Sequence, residues 1–332
     1  MAAELNDLPA DQQRAAAEER ADSDGTVTLY TNINADAADG LVKAFQEATG
    51  VQAEVFRASS ESLLQRVAQE SSADRLGADV VFGSFDAVSA LGSDGTFTPY
   101  EGPSRGGLGE DLQFEDWTEA AAEVFVPAWN TDLVSDADAP TSWEDLADPR
   151  FDGQLTIEAG DVAWYASLSA YWEQEGKSQD EIDDLWQQIV DGAHVASGHS
   201  GMVELLGAGQ TGINGANYDY LVRRARDAGA PVTYPTGDAS AQLPAFPSPL
   251  GVGLTAQGEH QGAGWLFCDW LLGDEGQQYL ADSGLVTAQM LTSGDVVDGI
   301  TLAPYATDEL TDERKTWEDR YDALLRGVPT QE

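Results

Sequence analysis

Lysine is almost missing from this chain: Lys43, Lys177 and Lys315 are its only examples. Lys and Arg together number 16 against 59 Asp and Glu, a formal net charge of -43. That balance excludes a phosphate-binding footprint, which needs clustered Lys and Arg, so nucleic acid is not a partner. Cysteine is as scarce. Cys268 stands alone, which removes an intrachain disulfide and a cysteine-based metal site, and in its apolar surroundings it reads as a small core residue. No apolar run approaches the ~20 residues that a membrane-spanning helix needs. Residues 1–25 also lack the hydrophobic centre of a secretory leader.

What is present is a folding composition: 42% hydrophobic residues, with 9 Trp, is far too apolar for a disordered chain. A folded protein this acidic repels itself, and salt relieves the repulsion, since the Debye length falls to roughly 3 Å at molar ionic strength. The surface therefore reads as that of a halophile. Length points to one or two domains.

Short apolar strands alternate with amphipathic helices in both halves. Residues 27–31, 52–56 and 79–82 read as strands, and 35–49 and 61–69 as helices between them. The pattern recurs with strands over 154–157, 194–196 and 211–215 and helices over 162–173, 179–190, 202–206 and 218–227. Alternation of this kind predicts a mostly parallel sheet flanked by helices. Late in the chain, Asp269-Trp270-Leu271-Leu272-Gly273-Asp274-Glu275-Gly276-Gln277-Gln278 reads as an apolar helix, a Gly-Asp turn and a second helix opened by acids.

Two more segments precede that helix pair. They are Gly77-Ala78-Asp79-Val80-Val81-Phe82-Gly83-Ser84 and Pro140-Thr141-Ser142-Trp143-Glu144-Asp145-Leu146-Ala147-Asp148-Pro149-Arg150-Phe151-Asp152-Gly153. In this order the three resemble the extracellular solute-binding proteins of ABC importers, in the ferric-iron, polyamine and phosphonate branch, over residues 27–287. The resemblance implies an α/β, two-lobed periplasmic-binding-protein-like fold with a ligand cleft and a multi-strand hinge. Residues 1–25 are expected to be a disordered acidic spacer, left after removal of a leader that anchored the protein at the cell surface. Residues 26–124 with about 247–290 form lobe 1, and 125–246 with about 291–332 form lobe 2. The expected partners are a permease and its ATPase, and the expected state is a monomer. A role with a sensory receptor stays open.

Ligands in such folds sit beyond the carboxyl ends of strands. The loops there supply the candidates: Asn32 and Asn34; Ser59 and Ser60; Ser84 and Phe85; Asp161; His199; and Asn217, Tyr218, Asp219 and Tyr220. Asn34 is equally an N-cap, and Ser59 and Ser60 offer hydroxyls beside free helix N–H groups. A helix N-terminus should keep His199 neutral. Iron-binding relatives place a His and a Glu where Asn34 and Ser84 stand, and a helper-anion loop where Asp161 stands. They place adjacent tyrosines near Tyr218, Asp219 and Tyr220, so if iron binds, those three hold it. With the remaining ligands replaced, the residue set leans to a small polar organic solute, an amine among the choices. Acids would neutralise it, and Phe85, Trp164, Tyr165 and Tyr218 would wall it by cation–π contact. No cofactor is implied beyond such iron. A transferase on the same fold is the competing class, with Asp161 and His199 as an acid–base pair; no nucleophile motif supports it.

Overall fold

The computed structural model describes residues 2–294, 299–303 and 314–327. In chain order the elements are α1 (Ala2–Asn6), α2 (Ala10–Asp24), β1 (Thr26–Thr31), α3 (Ala35–Thr49), β2 (Gln52–Arg57), α4 (Ser60–Ser72), β3 (Val80–Ser84), α5 (Phe85–Ser93), β4 (Phe97–Thr98) and β5 (Trp117–Asn130). There follow β6 (Leu155–Glu158), α6 (Val162–Gln174), α7 (Gln179–Gly192), β7 (Ala193–Ala196), α8 (His199–Gly207), β8 (Ile213–Tyr218), α9 (Asp219–Asp227), β9 (Val232–Thr233) and α10 (Asp238–Gln242). The chain closes with β10 (Phe246–Thr255), α11 (Gln261–Leu272), α12 (Asp274–Asp282), β11 (Val286–Thr287), α13 (Ala288–Ser293) and α14 (Arg314–Leu325).

The chain divides into two compact units, Met1–Ala122 with Pro249–Asp295 and Glu123–Ser248 with Val296–Glu332. β5 and β10 each carry the chain from one unit into the other. Part of the C-terminal stretch expected in lobe 2 lies outside the described residues.

In the first unit β1 pairs in parallel with β2 and β3, and β10 runs antiparallel to β3. The parallel strands need helical crossovers, which α3 and α4 provide. Leu29, Phe45, Phe82, Leu254, Trp265 and Phe267 fill the core, each worth roughly 1.5–3 kcal/mol of apolar burial. In the second unit β6 lies between β7 and β8 in parallel, and β8 pairs antiparallel with β5. Its core is built from tryptophans: Trp143, Trp164, Trp172 and Trp186 pack with Phe246 and Tyr321.

The three motifs turn out to be joints. Asp79 Oδ1 accepts from the His260 amide at 2.8 Å, and its Oδ2 accepts from the Thr28 amide at 2.8 Å, fixing the entry to α11 against β1. Trp143 Nε1 donates to Pro244 O at 2.9 Å. Asp269 Oδ1 accepts from the Tyr100 hydroxyl at 2.7 Å. Gln277 Nε2 donates to Ala120 O at 2.9 Å and Leu271 O at 3.0 Å, which pins the turn between α11 and α12. Each motif residue thus ties together backbone that lies far apart in sequence.

The expected disordered spacer is instead a helical pair that belongs to the first unit. Ala2, Leu5, Ala17 and Ala21 are buried against it. Asp24 Oδ2 accepts from the amides of Gly262 and Ala263 at 2.9 and 3.0 Å, capping α11 from outside. Asn6 Oδ1 accepts from Trp265 Nε1 at 2.9 Å, and Arg14 lies 3.6 Å from buried Asp269. The close approach requires glycine at 262, where a Cβ would come within 2.5 Å of Arg20 Cβ. Alanines rather than larger apolar residues carry the buried face of α2, so composition alone reads the segment as polar.

Candidate functional site

The sequence candidates fall into two groups, one in each unit. In the first unit, Asn32 follows β1 and bridges the neighbouring loops. Its Nδ2 donates to Ser60 Oγ at 2.7 Å and to Ser84 Oγ at 2.5 Å, while its Oδ1 accepts from the Ser84 amide at 2.9 Å. Gly83 makes room for this, because a Cβ there would lie 2.3 Å from Asn32 Oδ1. Asn34 and Ser59 take the capping role: Asn34 Oδ1 accepts from the Ala37 amide at 2.8 Å and Ser59 Oγ from the Ser62 amide at 3.3 Å. Phe85, expected as an aromatic wall, packs within the unit. It is buried edge-on against Phe114 and Trp117. A separate pocket of about 550 Å³ in this unit, lined by Arg14, Ser104, Trp270 and Asp274 among others, contains none of the sequence candidates.

In the second unit the structure brings together Asp161, His199, Tyr218 and Tyr220, and adds Glu123. Tyr218 ends β8 and Tyr220 lies in the first turn of α9, which stacks their rings at 6.0 Å with planes 11° apart. The Tyr220 hydroxyl donates to Glu123 Oε1 on β5 at 3.4 Å, and the Tyr218 phenol lies close to the same carboxyl. Phe125, two residues further on the same strand, stacks on Tyr218 at 5.1 Å. The His199 ring lies 4.2 Å from that of Tyr218.

Burial pushes the Glu123 carboxyl up to about 7, with the phenol hydrogen bonds pulling the other way and the charge of Asp219 adding to the rise. Burial, then the charges of Glu158 and Glu123, hold Asp161 well above the carboxylate range. Burial lowers His199 to about 4. Burial alone thus favours the neutral ring. His199 Nε2 lies 3.0 Å from Asp161 Oδ1 without the alignment of a hydrogen bond. Tyr218 is raised well above 10 by burial and by the charges of Glu123 and Asp161.

Two expected contributors have other work. Asn217 is fully buried, with Nδ2 donating to His199 O at 3.2 Å and Oδ1 accepting from the Tyr218 amide at 2.8 Å, so it holds α8 to β8. Asp219 Oδ2 lies 3.6 Å from the Arg223 guanidinium, one turn along α9. Trp164 and Tyr165 are core residues rather than ligand walls, packed on Trp186 and, for Tyr165, on Tyr321.

Glu123 is the residue that sequence reasoning missed. Its signal is an acid inside the otherwise apolar run Val124-Phe125-Val126 and its alanine prelude, where a charge on a buried strand needs partners. Glu158 was also passed over. Its carboxylate accepts from the amides of Gly160 at 2.5 Å and Gly198 at 3.0 Å, shaping both loops that present Asp161 and His199.

Two α/β units sharing long strands, with a polar cluster at strand ends, form the two-lobed fold of periplasmic binding proteins. A family model described as bacterial extracellular solute-binding protein matches residues 78–301, and the chain belongs to that family. The Fe(3+)-binding periplasmic protein of Serratia marcescens is 24% identical over 276 residues, 78% of this chain and 77% of that protein. Iron-bound HitA from Pseudomonas aeruginosa superimposes with a TM-score of 0.75 at 18% identity, covering 89% of this chain and 99% of that one. AfuA from Actinobacillus pleuropneumoniae, with exogenous fructose-6-phosphate bound, gives 0.75 at 17% identity, covering 91% and 99%. At such identities these structures share the fold.

Proposed function

We propose that this chain is the non-catalytic binding component of an ABC-type importer, and that it takes a small organic solute bearing an ammonium group. It would work outside the cell as an anchored monomer, handing its ligand to a permease driven by an ATPase. The observation that carries the ligand class is Glu123, a carboxyl that accepts from Tyr220 beside the stacked ring of Tyr218. The charges that raise the two carboxyls are Asp219 for Glu123, and Glu158 and Glu123 for Asp161, all negative. A cation entering here relieves that repulsion and gains the faces of Tyr218 and Tyr220 by cation–π attraction. An anionic solute would add to the repulsion.

Ferric iron is the second reading. It rests on the oxygen donors of Tyr218, Tyr220 and Glu123, which suit a hard cation, and on the iron-binding relative in Serratia marcescens. Against it, both phenols would have to ionise although burial and nearby carboxyls oppose this for Tyr218.

Native mass spectrometry with metal analysis on protein purified in high salt tests the reading. The expected result is an organic cation that co-purifies with the protein and is lost in Glu123→Gln. Stoichiometric iron would favour the second reading, and a co-purifying phosphate ester would sink both.

A further inference from the structure

We propose that the buried pair Asp161 and His199 is a second recognition point, and that the solute carries a neutral hydrogen-bonding group, a hydroxyl or amide N–H, besides its ammonium. This inference rests on the ammonium reading of Glu123 and refines it. Asp161 is 4% exposed and its Oδ2 has no hydrogen-bond partner; His199 is 8% exposed and its Nε2 is likewise unpartnered. An unsatisfied buried polar group costs about 1–3 kcal/mol, and here two sit side by side. Two of their neighbours are fully engaged. Glu158 receives two backbone amides, and Asn217 uses both ends of its side chain. Thr156 Oγ1, Trp164 Nε1 and both ends of Asn214 in this unit also lack a hydrogen bond, but His199 is the one whose ring lies against Tyr218, with Asp161 beside it.

The pair also lies beside the phenols: the His199 ring is against that of Tyr218, and Asp161 Oδ1 is 3.0 Å from His199 Nε2. Asp161 feels the charge of Glu123, and Tyr218 feels the charges of both while its ring lies 4.2 Å from that of His199. A single solute touching Tyr218 can therefore reach both points. Burial disfavours charge on both groups, raising the Asp161 carboxyl and lowering His199 to about 4, and it leaves Asp161 Oδ2 and His199 Nε2 as buried hydrogen-bonding atoms. A hydroxyl or amide satisfies such an edge without bringing a further charge into a buried site.

Calorimetry with 4-aminobutan-1-ol and the equally sized n-pentylamine tests this. Wild type should bind the amino alcohol at least tenfold tighter. Asp161→Leu should bind the two probes within about twofold of each other. Asp161→Asn, which keeps a neutral hydrogen-bonding edge, should retain the preference. In the free protein Asp161→Leu should not lower the melting midpoint, whereas a purely structural Asp161 would make it fall. Equal binding of both probes by wild type overturns the inference and leaves the ammonium reading standing, and this outcome needs no variant. Tighter binding of 1,4-diaminobutane than of the amino alcohol overturns the neutral-group assignment. If no amine binds, the ammonium reading fails and takes this inference with it.

Discussion

The Tyr220 hydroxyl donates to Glu123 Oε1 across 3.4 Å, joining the first turn of α9 to β5, the strand that carries the chain between its two units. The bond is long, and Glu123 is held up to about 7, so near neutral pH its carboxylate is only partly ionised before a ligand arrives.

Binding should therefore depend on pH. An ammonium favours the ionised carboxylate, so below about 7 each pH unit should weaken n-pentylamine binding by up to tenfold, and Glu123→Gln should abolish the dependence. The stability of the free protein carries the opposite signature. A carboxyl raised from 4.5 to about 7 binds its proton more tightly when folded, so its contribution is complete below 4.5 and is lost as pH rises through 7. Denaturation curves of wild type and Glu123→Gln should diverge over that window, the variant gaining on wild type as pH rises. Parallel curves would contradict the shift.

Tyr220→Phe removes the hydroxyl that donates to Glu123. Amine affinity should fall by roughly 0.5–1.5 kcal/mol, about two- to tenfold, read by calorimetry. Added Fe(III) should give wild type no phenolate-to-iron charge-transfer colour. A strong stoichiometric colour that Tyr220→Phe abolishes would restore iron as the cargo.

Asp24→Ala deletes the carboxylate that accepts from the Gly262 and Ala263 amides. The loss of this cap should cost about 0.5–2 kcal/mol in urea denaturation. An unchanged midpoint would mean that α2 does not hold α11 in solution.

Much of the fold was legible because strand and helix periodicities are clean: β1, α3, α6, α7 and the α11–α12 pair lie close to where the pattern puts them. α2 was not, since alanines carry its buried face and acids dominate its composition. Four site candidates, Asp161, His199, Tyr218 and Tyr220, do come together. Asn217 and Asp219 carry structural contacts that the sequence does not show, because a polar side chain beside a site serves backbone or a helix neighbour just as readily. Glu123 escaped because attention to strand-to-helix loops passes over an acid within a strand. Only the three-dimensional pairing of β5 with β8, Phe125 opposite Tyr218, sets its carboxyl beside the phenols.

Salt should stabilise the whole chain. With a formal net charge of -43, self-repulsion opposes compaction and added ions screen it. Thermal melts across a KCl series should show a rising midpoint. A flat or falling midpoint would show that this surface does not depend on screening.

The central claim, that Glu123 between two tyrosines receives a cation, is tested most directly by calorimetric titration of n-pentylamine at pH 8 into wild type and Glu123→Gln. The account predicts saturable binding to wild type, weakened at least tenfold by the variant while its fold, read by circular dichroism, is retained. Equal affinity in the two proteins would contradict it.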